Sequence, residues 1–104
     1  MEEQSLLVEV RPEKFHVNAP YPKPFNPYTN IQYKIPTDCY VELIIYDILG
    51  RKIAVLKDGY KIAGIHQAIW NGRNDHGVTV GSGIYLYQFK ARDFNHSGKI
   101  MFLR

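Results

Sequence analysis

From Ile31 onward, apolar side chains recur at every second position in three separate stretches. Ile31, Tyr33 and Ile35 alternate with Gln32 and Lys34; Val41, Leu43 and Ile45 alternate with Glu42, Ile44 and Tyr46; Tyr85, Tyr87, Phe89 and Ala91 alternate with Leu86, Gln88 and Lys90. A period of two sends successive side chains to opposite faces of a strand, so each stretch has one face for a core and one for water. Helical periodicity is hard to find over any window of eleven residues, and the chain reads as all-β. Eight tyrosines agree with this, since aromatic and β-branched residues suit a pleated surface.

The punctuation between these stretches sets the number of strands. Leu6 to Val10 and Lys14 to Asn18 read as short extended pieces. In "DILG", Asp47 and Gly50 occupy the first and fourth positions of a β-turn, and Lys52 to Lys57 returns as the hairpin partner. "KDGYKIAG" reads as a loop. "IHQAIW" is a strand with His66, Ala68 and Trp70 on one face and His66 packed beside Trp70. "NGRNDHG" is a loop, and "DFNHSG" turns the chain into a last strand, Lys99 to Leu103. About seven strands with turns at this spacing predict a two-sheet antiparallel sandwich. At 104 residues it is one domain.

Five of the six prolines fall between Pro20 and Pro36. Pro20, Pro22, Pro24 and Pro27 fix φ and hold their predecessors extended, giving a stiff arm with few donors that follows a sheet rim. Tyr21 and Phe25 are expected to anchor it in the core.

Function classes are then narrowed. A net charge of +3 is spread along the chain with no basic cluster, which argues against nucleic acid. Tyrosines interleaved with lysines read as core and wet faces of strands. Cys39 is the single cysteine, so there is neither an internal disulfide nor a thiolate metal cage, and it reads as a buried, inert thiol. "MEEQSLLVEVRPEKF" lacks the pattern of a signal peptide, and no stretch reaches transmembrane length. His16, His66, His76 and His96 lie in separate segments without metal-pair spacing. Asn71, Asn74 and Asp75 offer oxygens, but the closing bidentate glutamate of a calcium loop is missing, and a structural turn is the reading. Ser5, Ser82 and Ser97 have no identifiable base, "GVTVGSG" lacks the lysine of a phosphate loop, and Asn95 begins a glycosylation sequon. No catalytic, cofactor-binding or metal-binding residue is assigned.

The ordered motifs "YPKPFNP", "TNIQYKIP", "VELIIYDILGRKIAVL", "AGIHQAIWNGRNDHGVTVGSGIYLYQFKA" and "GKIMFLR" resemble the C-terminal sorting domain of the type IX secretion system, type A. That group is similar to the Ig-like domain of the flagellar hook-capping protein. The resemblance covers residues 15–104 and leaves 1–14 as a linker or first short strand. It implies an Ig-like or fibronectin-III-like sandwich without activity or cofactor, which directs a preceding passenger across the outer membrane to the cell surface or medium. The implied partners are the secretion translocon or sorting proteins and the passenger, with weak self-association.

Residue by residue, the family pattern falls on Pro22, Pro24, Phe25, Asn26 and Pro27, on Asp47 and Gly50, and on Trp70 followed by Asn71, Gly72, Asn74, Asp75 and Gly77. Its penultimate strand falls on Gly83, Tyr85 and Tyr87, and its basic tail on Lys99 to Arg104. Lys99 and Arg104, with Gly83 and Tyr85 beside them, are the expected recognition residues. Lys23 replaces the usual asparagine, and "HSGK" stands where two adjacent lysines are common. Two other readings stay open: an assembly module that packs against copies of itself or a neighbouring domain, and a carbohydrate-binding sandwich, which needs two coplanar exposed aromatics.

Overall fold

The structure is a computed structural model that describes residues 12–22 and 28–104. The expectations for Leu6 to Val10, Pro24, Phe25, Asn26 and Pro27 lie outside the described residues. Within them the chain forms seven antiparallel strands and no helix: β1 (His16–Val17), β2 (Thr29–Ile35), β3 (Cys39–Asp47), β4 (Lys52–Lys61), β5 (Gly64–Trp70), β6 (Gly83–Ala91) and β7 (Phe94–Phe102). One sheet has the order β1-β2-β5 and the other β4-β3-β6-β7. The all-β, two-sheet sandwich expected from the alternation is the fold observed.

The core is built from the residues that the period of two selects. Ile31, Tyr33 and Ile35 of β2 and Val41, Leu43 and Ile45 of β3 are fully buried, and Tyr85, Tyr87, Phe89 and Ala91 of β6 face them. Rings lock the two sheets together. Tyr33 meets Phe89 at 4.9 Å, and Trp70 meets Tyr85 at 5.2 Å edge-on and Phe102 at 5.9 Å. Cys39 is buried, as expected.

Four expectations are corrected. Tyr21 is 77% exposed and is not a core anchor; Val17 and Pro20 are the buried residues of that segment, and the inward turn of Pro20 sends its neighbour out. "KDGYKIAG" is mostly strand, because β3 needs a partner along its full length: Gly59 faces Val41, Asp58 faces Glu42 and Tyr60 faces Tyr40. The last strand starts at Phe94, five residues before Lys99, since Arg92, at φ 55°, turns the chain with Asp93 alone. The ring beside His66 is Tyr33, stacked at 5.3 Å.

The antiparallel registers give the sandwich two distinct ends. The turn end gathers the β3–β4 turn, Trp70, the start of β6 and the end of β7. The entry end gathers the β2–β3, β4–β5 and β6–β7 connections, tied by Ala63 N–H donating to Asp38 Oδ1 at 2.7 Å. At the entry end Phe15, just before β1, stacks on Phe94 at 5.3 Å.

Candidate functional site

Lys99, Arg104, Gly83 and Tyr85 come together at the turn end. Gly83 faces Phe102, Tyr85 faces Ile100 and Leu86 faces Lys99 across the β6–β7 ladder. Arg104 is tied to the start of β6 by its N–H, which donates to Ser82 Oγ at 2.9 Å. Lys99 and Arg104 are exposed, whereas Tyr85 is buried, its hydroxyl donating to Gly81 O at 2.7 Å. Burial pushes the Tyr85 phenol up, and the nearby Asp47 carboxylate adds to this. Of the four, the two cations are displayed, while Tyr85 is buried on β6 opposite Ile100 of β7 and ties the segment that leads into β6.

Asp47 builds the neighbouring turn. Its carboxylate accepts from the N–H groups of Leu49 and Arg51 at 2.9 Å each and pairs with Arg51 Nε at 2.7 Å. Gly50, at φ 83°, adopts the left-handed conformation that a side chain disfavours, and its N–H donates to Asp47 O at 3.0 Å. The Arg51 backbone N–H holds the Asp47 carboxyl below its usual range, with the Arg51 guanidinium and the Leu49 N–H acting in the same direction. The turn presents Ile48, 70% exposed, and Leu49, 74% exposed. The turn is legible in the sequence from Asp47 and Gly50; the two aliphatics at its tip are the unexpected part, since a turn usually carries polar residues there.

The Asn71 to Gly77 loop uses its oxygens on itself and on β4. Asn71 Oδ1 accepts from Arg73 N–H at 3.1 Å, and Asn74 Oδ1 accepts from His76 N–H at 2.9 Å and Val78 N–H at 3.0 Å. Asp75 reaches the outer edge of β4, where its N–H donates to Ile53 O and its carboxylate accepts from Val55 N–H, both at 3.0 Å. Trp70 Nε1 donates to Arg73 O at 2.9 Å. Among the described residues no cluster of three His, Cys, Asp or Glu side chains could hold a metal ion.

The two edges of the larger sheet therefore differ. Asp75 covers part of the β4 edge, whereas β7 ends the sheet with no strand beyond it among the described residues. Beside β7 the Tyr87 ring lies against Gly98, where a Cβ would stand 2.5 Å from the ring, and its hydroxyl meets His96 Nε2 at 3.1 Å. Burial raises the Tyr87 phenol and pushes that of Tyr33 up to about 12. On the outer face near the entry end Tyr40 and Tyr60, both more than half exposed, stand directly opposite each other, and the Tyr40 hydroxyl donates to Asp58.

Solved structures share this fold. The chain matches dimeric latent PorU from Porphyromonas gingivalis with a TM-score of 0.68, at 18% identity over 86% of this chain and 9% of that one. It matches PorZ of the same organism, an essential bacterial surface component of the type IX secretion system, with a TM-score of 0.54, at 21% identity over 86% of this chain and 11% of PorZ. The chain thus spans about a tenth of the length of each neighbour. No family model matches the sequence, and no curated protein matches it.

Proposed function

We propose that this chain is a non-catalytic secretion and sorting module, carried at the C-terminal end of an exported precursor and read by the type IX translocon or its sorting proteins. The observation that carries this reading is polarity. The chain enters β1 at the end where Phe15 stacks on Phe94, and Lys99, Arg104 and the end of β7 lie at the opposite end. Entry of the described chain at the end opposite the displayed residues supports simultaneous access to a preceding passenger and to those residues. The fold shared with PorZ, a surface component of that system, supports the same assignment. The module's destination is the outer-membrane surface or the medium.

The test is fusion of residues 15–104 to an exported reporter in a bacterium with that secretion route. Surface delivery is expected with the intact module and lost after Lys99→Ala/Arg104→Ala, which leaves the buried Ile100 and Phe102 in place. Unchanged delivery by the folded double variant contradicts the assignment.

The edge of β7, unpaired among the described residues, favours a second reading, an assembly module that adds a strand from another copy. A rise in mass with concentration by light scattering is its expected signature, and a monomer at high concentration rejects it.

A further inference from the structure

The tip of the β3–β4 turn is not needed by the core and plays no part in the sorting assignment. Ile48 and Leu49 project from it, and a groove of about 470 Å³ between the tip and the start of β6 is lined by the aliphatics Ile48, Leu49, Ile53 and Ile84 together with the paired Asp47 and Arg51 and with Ser82. Behind the tip the outer face of the sheet continues in exposed Ile84 and Met101, opposite each other on β6 and β7. One row further in, Lys52 faces Tyr46, Tyr46 faces Leu86 and Leu86 faces Lys99, so an exposed lysine stands at each side of an apolar centre. Arg104 adds a third exposed cation.

Among the described residues, the side-chain carboxylates nearest this surface have partners. Asp47 is held by Leu49 and Arg51, and Asp75 by Val55. Because Asp47 fixes the turn backbone, insertion of the tip requires no further ordering of the chain. Exposed apolar surface of this kind, rimmed by polar residues, marks an interaction site.

We propose that this tip is a membrane-surface anchor, in which Ile48 and Leu49 enter the boundary between headgroups and acyl chains while Lys52, Lys99 and Arg104 meet anionic headgroups. Charge complementarity selects the occupant: the three cations flank the aliphatic tip, and each cation near an anionic leaflet adds attraction that salt screens. A few buried aliphatic groups alone bind a bilayer only marginally, so both parts are required. The inference goes beyond the sorting assignment and does not depend on it, since a lipid vesicle contains no secretion machinery.

The experiment is co-sedimentation of the full chain with phosphatidylglycerol-containing vesicles, with pure phosphatidylcholine vesicles as reference. Binding is expected on the anionic vesicles at low salt, with release at about 0.5 M salt, where the screening length falls to a few ångströms. The Ile48→Ser/Leu49→Ser variant keeps every charge and is expected to bind about tenfold more weakly, a loss within reach of two buried aliphatic chains. The Lys52→Gln/Lys99→Gln variant keeps the tip and is expected to flatten the salt dependence. Undiminished binding by the serine variant means non-specific charge attraction and overturns the proposal. So does a failure of the wild-type chain to bind anionic vesicles at low salt, or equal binding to both compositions. Melting curves of both variants establish that they are folded.

Discussion

The β3–β4 turn and the β5–β6 loop hold their shape by the same means and differ in what they show to solvent. In the turn, Asp47 accepts from Leu49 and Arg51; in the loop, Asn74 accepts from His76 and Val78. Such side-chain bonds to nearby N–H groups fix a connection without a hydrophobic core of its own. The loop then spends its contacts inward, with Gly72 under the Phe102 ring, Arg73 O on Trp70 and Asp75 on the β4 edge. The turn sends Ile48 and Leu49 outward. The comparison separates scaffold from display: changes in the loop are expected to act on stability, and changes at the tip on interactions.

The largest effect is expected at Gly72. It has φ 76°, and a Cβ there would stand 2.5 Å from Phe102. Overpacking together with a left-handed backbone puts Gly72→Ala at about 3 kcal/mol of destabilisation, readable by urea unfolding. A loss below about 1 kcal/mol would mean that the loop is not tightly docked, and would break the comparison.

Asp47→Ala is expected to be destabilising in a pH-dependent way. The folded state lowers the Asp47 pKa, so its contribution is fully present above the usual carboxylate range and is lost as pH falls through the lowered value. Melting temperatures of wild type and variant should therefore differ at pH 7 and converge toward pH 2. A constant difference would show that the charge is not what holds the turn.

The smallest effect is expected at the tip, where Ile48→Ser/Leu49→Ser should change unfolding free energy by less than about 0.5 kcal/mol, as ordinary surface substitutions do. A larger loss would make the tip part of the scaffold.

These contrasts also mark what a single sequence conveys. Alternation alone placed Ile31 to Ile35, Val41 to Ile45 and Tyr85 to Ala91 with the correct faces inward, because each strand has one dry side. Asp47 and Gly50 were legible because their turn is local chemistry. The extent of β4 was not: Asp58 and Gly59 look like a loop, and only the length of β3 beside them draws them into the sheet. The start of β7 is hidden for the same reason, its Asn95 to Gly98 segment being held by the ladder to β6. The Tyr21 ring suggests a core anchor, whereas the inward turn of Pro20 decides the facing. The candidate site was half legible, in Lys99 and Arg104. That Ile48, Leu49 and Ser82 adjoin it depends on strand register, which pairs residues far apart in the chain.

The most direct test is the charge-reversal variant Lys99→Glu/Arg104→Glu, compared with wild type for surface delivery of a reporter fused to residues 15–104. A melting temperature close to that of wild type with delivery lost is expected, because both side chains are exposed and belong to the displayed end. Delivery at the wild-type level by the folded variant would contradict the sorting assignment.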